Sequence, residues 1–208
     1  HTDRGVSYLP LSHIAAQIID VHTPIYLGCC VYFAQPDALK GSLTITLKDV
    51  KPTYFFGVPR VWEKIQEKMV QVGREITGVK KIISTWAKSM GTEHSRRAQF
   101  GNAAHSPISF HSCTFPLASS VLSKAKVALG LECAKVCFSG AAPITMNTLL
   151  YIDTLNIPIY ELYGTSECSG PHTMSAPGEW KMGYCGRPMP GMRTFIVLRI
   201  HNFSFSSH

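Results

Sequence analysis

The segment Ile159–Gly170, which reads IYELYGTSECSG, contains the residue types that a phosphate site needs. Gly164 lets the backbone approach a ligand closely, and Thr165 and Ser166 provide two adjacent hydroxyls that can donate to phosphate oxygens. Glu167 adds a carboxylate, and Mg²⁺ binds one or two carboxylates together with substrate phosphates. The segment therefore predicts a phosphate-binding turn with a metal-binding carboxylate.

The same turn has a second interpretation. Thr165 or Ser166 would also be a good N-cap of a helix, with Glu167 placed favourably in its first turn. Tyr163, just before the turn, offers a flat ring on which a nucleobase could stack. On these residues alone, both the ligand site and the helix start remain open.

Three further motifs accompany this segment. They are YLPLSHIAAQ at Tyr8–Gln17, SGAAP at Ser139–Pro143 and CGRPMPG at Cys185–Gly191. Their order and spacing resemble the adenylate-forming (AMP-binding) superfamily. The sequences of Thr53–Met69 and Tyr160–Ser175 resemble those of the bubblegum-type long-chain acyl-CoA synthetases within this superfamily.

The resemblance implies an α/β fold that forms part of the large N-terminal domain of an adenylate-forming enzyme, a mostly parallel sheet with flanking helices. It covers residues 1–196 as a partial AMP-binding domain, and we expect the divergent residues 197–208 to be disordered or an edge strand. The family's phosphate loop is expected before His1, and its ribose-binding Asp and Lys-bearing C-terminal domain after the last residue. The chain is thus expected to be a central fragment.

The function implied by the resemblance is ligation of a long-chain fatty acid to coenzyme A with ATP and Mg²⁺, releasing AMP and pyrophosphate. We expect the 208 residues to be inactive alone, since they lack those family elements. Two alternatives remain: a non-catalytic remnant that binds nucleotide, and a basic segment that binds anionic membranes.

The resemblance also assigns roles to individual residues. Glu167 would bind Mg²⁺, His13 would close over the acyl carboxylate, and Ser166, which replaces the family's Thr, would keep a hydroxyl on the phosphates; these three form the predicted catalytic set. A histidine before an apolar helix is also typical of a simple cap. The predicted nucleotide-binding set is Gly140, Ala141, Ala142, Pro143, Glu161, Leu162, Tyr163, Gly164, Thr165 and Ser166. In this set SGAAP forms a backbone wall and Tyr163 stacks on adenine.

Charge is concentrated in one part of the chain. The net charge is +7, and the range 60–97 contains nine Lys and Arg against four Glu. Acidic and basic residues interleave there, as in Glu63, Lys64, Glu67 and Lys68, which favours a solvated helix face with i,i+4 pairs. No aromatic ladder or zinc-finger spacing accompanies the charge, so we expect no nucleic-acid partner.

Composition indicates the cellular compartment and the kind of membrane association to expect. Hydrophobic residues make up 45% of the 208 residues, enough for a folded core. The seven cysteines have no disulfide-framework spacing, which favours a reducing, cytoplasmic location. No run approaches the roughly 20 apolar residues of a spanning helix, so any membrane contact would be peripheral.

Hydrophobic periodicity predicts the elements that position these motifs. The predicted helices are Ser12–Ile19, Ser42–Val50 (where strand alternation competes), one starting at Pro59, one carrying Ile82, Ile83, Trp86 and Met90, Leu117–Leu131 with a stop at Gly130, and Thr145–Leu155. The predicted strands are Tyr26–Ala34 (buried), Thr53–Phe56, Ala134–Phe138 and Ile157–Glu161, with a loop at Gly101–Ser120. The last two strands and the helix between them predict a βαβ unit with a site at the carboxyl ends of its strands.

Overall fold

Two sheets organise the protein, whose computed structural model describes residues 3–99 and 110–195. A small sheet pairs β1 and β2 in parallel, and a five-stranded sheet has the order β3-β4-β5-β6-β7. The first three strands of the larger sheet run parallel, and the last two pairings are antiparallel. The strands are β1 (Arg4–Ser7), β2 (Cys30–Phe33), β3 (Tyr54–Gly57), β4 (Val136–Ser139), β5 (Ile159–Thr165), β6 (Gly170–Met174) and β7 (Arg187–Pro188). The α/β class is confirmed, with a main sheet that is mixed rather than purely parallel.

Helices connect and cover these strands. The first helical stretch comprises α1 (Ile14–Ala16), a wider π-type segment over Gln17–His22, and α2 (Thr23–Leu27). The others are α3 (Leu43–Val50), α4 (Pro59–Glu75), α5 (Gly78–Ala98), α6 (Phe110–Leu129) and α7 (Met146–Thr154). Short 3₁₀ turns lie at Ala38–Lys40 and Ser166–Cys168.

The main core lies between the parallel strands and the helices α3, α4 and α7. Trp62 of α4 is fully buried, its ring packs edge-on against Phe55, and its Nε1–H donates to the carbonyl of Phe138 at 3.2 Å. A buried indole N–H needs such a partner, and here the bond also fixes the start of α4 against β4. Pro59 opens α4, as its position predicts, because its missing N–H would be unpaired there anyway.

The predicted βαβ unit is confirmed. Strand β4 leads into α7, which returns to β5, and β4 and β5 pair in parallel. Thr145 caps α7, its side-chain oxygen accepting the N–H of Thr148 at 3.3 Å. Gly130, with φ at 74°, follows the last residue of α6, so the predicted stop is also confirmed.

Several predictions are wrong. Residues 110–116 are the start of α6 rather than a loop, because packing of Ala118 and Leu122 against α5 overrides the Ser, His and Pro content; the helix predicted from Leu117 is confirmed. The range 26–34 is the end of α2, a turn and the short, largely exposed strand β2, not one buried strand. Residues 101–109 of the predicted loop and the tail 197–208 lie outside the described residues.

The turn predicted at Gly164–Ser166 is also corrected. Strand β5 continues through Thr165, since β6 pairs with it as far as Thr165 and Gly170. Only Ser166–Cys168 form a turn of 3₁₀ helix, and Thr165 stands at its N-cap position in an extended conformation without a side-chain capping bond.

Candidate active site at the carboxyl ends of the parallel strands

Strand register brings the predicted motifs to one edge of the sheet. Gly57 of β3 pairs with Ser139 of β4, and Ser139 pairs with Glu161 of β5. Since these strands are parallel, the residues that follow them leave the sheet at the same edge. SGAAP and YGTSE are therefore neighbours, at the place where open α/β sheets bind ligands.

A cavity of about 70 Å³ lies at this edge, beneath α1. Four predicted site residues from three separate motifs line it: His13, Ala141, Leu162 and Gly164. The rest of its wall consists of residues that the motifs did not predict, and most of them are apolar. They are Ile14, Ala15, Ile18, Ile19, Phe56, Gly170 and Pro171.

His13 is both a cap and part of the cavity wall. Its Nδ1 accepts the backbone N–H of Ala15 at 3.1 Å, so it is the N-cap of α1. With Nδ1 used as an acceptor, the neutral ring carries its proton on Nε2. The exposed ring can therefore donate from Nε2 to an oxygen of a ligand without losing the cap.

Alternation along β5 separates the predicted nucleotide-binding residues. Leu162 and Gly164 line the cavity, whereas Tyr163 is 56% exposed. Ser166 and Glu167 follow on the exposed 3₁₀ turn. The structure thus gathers an apolar wall with an exposed tyrosine, hydroxyls and a carboxylate beside it.

The two glutamates of this segment differ in environment. Burial raises the pKa of Glu161, whose carboxylate accepts the N–H of Gly183 at 2.7 Å and so holds that loop to β5. The pKa of Glu167 is lowered, because its own backbone N–H and the Thr165 hydroxyl donate to the carboxylate. Glu167 is accordingly an exposed, ionised carboxylate that a cation could reach.

SGAAP also contains two features that its residue types did not reveal. The Oγ of Ser139 is buried without a hydrogen-bond partner at the end of β4. Ala141 has φ at 71°, in the left-handed region that an alanine adopts only at a cost. An unpaired buried hydroxyl and a strained backbone are both more frequent at ligand sites than elsewhere.

Comparison with known proteins identifies the family. Residues 1–199 match the family model described as "AMP-binding enzyme". The chain belongs to the AMP-binding enzyme family. Within it, the chain is 51% identical over 191 residues to the Xenopus laevis protein named long-chain-fatty-acid–CoA ligase ACSBG2, and 43% identical to the human protein of that name. These alignments cover 92% of this chain but only 25% and 28% of the relatives, so it spans about a quarter of their length.

Solved structures agree on the fold. A benzoate CoA ligase from Burkholderia xenovorans matches with a TM-score of 0.54 at 16% identity, covering 91% of this chain and 28% of that one. The O-succinylbenzoate CoA synthetase of Bacillus subtilis, solved with ATP and a magnesium ion, matches at 0.52 and 15%, covering 90% and 27%. The bubblegum-type resemblance of the motifs is confirmed by the named relatives.

Proposed function

We propose that this chain acts as one segment of a long-chain fatty acid–CoA ligase, which joins a fatty acid to coenzyme A with ATP and releases AMP and pyrophosphate. The main observation behind this proposal is the cavity at the carboxyl edge of the parallel strands, which is lined by His13, Ala141, Leu162 and Gly164. Support comes from the AMP-binding family match and from relatives named long-chain-fatty-acid–CoA ligases.

In this proposal the fatty-acid carboxylate attacks the α-phosphorus of ATP and pyrophosphate leaves, after which the thiol of coenzyme A displaces AMP. Residues 140–143 would form the wall beside adenine and the acyl group, and the exposed Tyr163 ring would stack on the base. The backbone of Gly164 and the hydroxyls of Thr165 and Ser166 would lie along the phosphates. Nε2 of His13 would donate to the acyl carboxylate.

The residues present suit a magnesium ion. Mg²⁺ binds few protein carboxylates and takes its other ligands from phosphates and water. Glu167 offers one exposed carboxylate with a lowered pKa, beside the predicted phosphate positions. When bound, the ion would neutralise charge on the phosphates, and Glu167 would hold it in place.

A chimera tests the proposal. Residues 3–195 of this chain would replace the aligned segment of the Xenopus laevis relative, and palmitate-dependent formation of acyl-CoA would be measured. We expect activity within about tenfold of the parent, since the residues assigned to the site come from this chain. A folded chimera without activity, beside an active parent, would refute the proposed function.

Peripheral membrane contact is a second, separate proposal for a partner. No described helix is long and apolar enough to cross a bilayer. However, Val79, Ile82 and Trp86 lie on one face of α5 and are 71%, 71% and 38% exposed. An exposed apolar stripe that includes Trp is typical of helices lying at a membrane surface. Flotation with anionic vesicles tests this contact, and loss of flotation in Ile82→Glu would support it.

A further inference from the structure

A second groove lies at the opposite end of the sheet from the candidate active site. Helices α4 and α7 begin at the carboxyl edge, after β3 and β4, and run back along the sheet. Their last turns, and Ile76 and Leu155 directly after them, therefore lie at the far end. The groove is formed there by these turns together with one face of α5 and of α6.

The groove has the size and the floor of a ligand site. Its volume is about 680 Å³, within the range of about 300–1,000 Å³ typical of small-molecule sites. Its floor is apolar, and it is contributed by all four helices. The floor residues include Val72 of α4, Ile83 of α5, Val121 and Ala128 of α6, and Tyr151 of α7.

Every charged residue that lines the groove is a cation. These residues are Arg74, Lys80, Lys81, Lys88 and Lys124. Among the described residues, only Lys88 of this set has an aromatic partner, with its Nζ 5.1 Å from the ring centre of Tyr151. None of the five forms an ion pair within the described ranges.

The start of α5 adds to this positive potential. Its first turn contains no acidic residue, and Lys80 and Lys81 stand there instead. Cations at a helix N-terminus are repelled by the positive end of the helix dipole. No acidic residue in this turn offsets that repulsion or the repulsion between the two lysines. A polyanion bound beside them would relieve it.

We propose that this groove binds long-chain acyl-CoA, with the acyl chain on the apolar floor and the phosphates of the head group on the lysines and Arg74. A head group with several negative charges matches five cations, whereas a fatty acid offers a single carboxylate. The choice of this amphiphile rests on the proposed function, whose product it is. The site is distinct from the nucleotide site because it lies at the other end of the sheet.

Binding of palmitoyl-CoA to the 208-residue chain tests the proposal, at ligand concentrations below micelle formation, by equilibrium dialysis. We expect palmitoyl-CoA to bind about tenfold or more tightly than either coenzyme A or palmitate alone, because each of these occupies only one part of the groove. Equal affinity for coenzyme A alone would overturn the proposal.

Two variants locate the site. Lys80→Glu/Lys81→Glu reverses the charge at the rim, and Ala128→Trp fills the floor at an exposed position. Each should weaken binding about tenfold or more. Lys48→Glu/Lys68→Glu makes the same change of charge outside the groove and should leave binding unchanged. Circular dichroism would establish that the variants are folded, and unchanged affinity in both groove variants would overturn the proposal.

Two further arms separate this proposal from the others. Glu167→Ala alters the candidate active site and should not change palmitoyl-CoA affinity. If the chimera is inactive but palmitoyl-CoA still binds in a Lys80- and Lys81-dependent way, the proposed function fails and the groove stands. If anionic vesicles bind and monomeric palmitoyl-CoA does not, the groove proposal fails and the surface is a membrane contact.

Discussion

At Gly164, strands β5 and β6 approach too closely for a side chain. A methyl group at this position would overlap the carbonyl oxygen of Gly170 and the Cα of Pro171. The register of the two strands also shifts here, between Tyr163 and Gly164. Only glycine allows this approach, so the residue that the sequence suggested for close contact with a ligand has a structural task as well.

We predict that Gly164→Ala lowers the free energy of unfolding by about 1–3 kcal/mol, because the strands must move apart. Gly73→Ala is the matched control, since a methyl group there has no neighbour within 4 Å and Gly73 lies inside α4. That control should be neutral or stabilise by up to about 1 kcal/mol. Urea unfolding followed by circular dichroism measures both, and equal midpoints for the two variants would contradict the close-contact argument.

Glu167 is the residue on which the proposed magnesium role depends. In the chimera, Glu167→Gln keeps the size of the side chain but removes the charge, and we predict a loss of about 10²–10³ in the rate of adenylation. Excess Mg²⁺ should restore part of the rate, because the remaining ligands are phosphates and water. Glu63→Gln, which alters an exposed pair with Arg60, serves as the control. Equal rates for both variants would remove Glu167 from the site.

At the scale of elements, the amphipathic helices and the buried strands could be predicted from the sequence. Elements that the rest of the fold covers only in part, such as α2 and β2, could not. Thr145–Leu155 and the helix from Pro59 were predicted because capping residues and apolar periodicity agree there. The strand prediction for 26–34 rested on Cys, Val, Tyr and Phe content, which does not show where a helix ends. Gly28, with φ at 69°, ends α2 inside that range.

Sequence periodicity is also limited in predicting how much of a helix's apolar face is buried. In α4 the stripe begins buried, with Trp62 and Ile65, but Val72 is 48% exposed. Periodicity identifies an apolar face and does not tell whether another element covers it along its whole length. The antiparallel partner of β5 was missed for a related reason: Gly164 has low strand propensity and indicates a turn, but pairing with β6 overrides it.

Helices α5 and α7 are linked by a buried polar contact that makes stability depend on pH. Asp153 is buried, Ser95 donates its hydroxyl to the carboxylate, and burial raises the pKa of Asp153 to about 6. Because the folded-state pKa exceeds the unfolded value near 3.9, this group favours folding at pH below about 4. That contribution is lost as the pH rises through 6.

We predict that Asp153→Asn removes this loss. The amide keeps an oxygen that can accept from Ser95 and has no charge to bury, so the variant should be more stable than the parent at pH 8 by up to about 3 kcal/mol. At pH 4 the two should differ little. Ser95→Ala, which deletes the donor, should lower stability mainly at high pH. Thermal unfolding across pH 4–8 measures this, and parallel curves for parent and Asp153→Asn would contradict the assignment.

At the scale of the whole molecule, the chain combines a well-packed core with large exposed apolar side chains. Ile25, Tyr26 and Phe33 are 79%, 89% and 74% exposed on α2 and β2. Large apolar side chains left exposed in this part of the chain are suited to contact with another protein segment. The family could be predicted from four motifs in order, whereas which surfaces remain uncovered depends on packing that the motifs do not encode.

We predict that the 208-residue chain alone produces no acyl-CoA above a no-enzyme blank. Its cavity of about 70 Å³ is several times smaller than the sites that enclose small molecules, and Tyr163, Ser166 and Glu167 lie exposed beside it. Charge developing on the phosphates would be solvated by water rather than by fixed donors, and such donors are each worth about 10²–10³ in rate. The assay combines the purified chain with ATP, Mg²⁺, coenzyme A and palmitate, with the chimera as positive control. Steady production that Glu167→Gln abolishes would show that these residues suffice for catalysis and would refute the prediction.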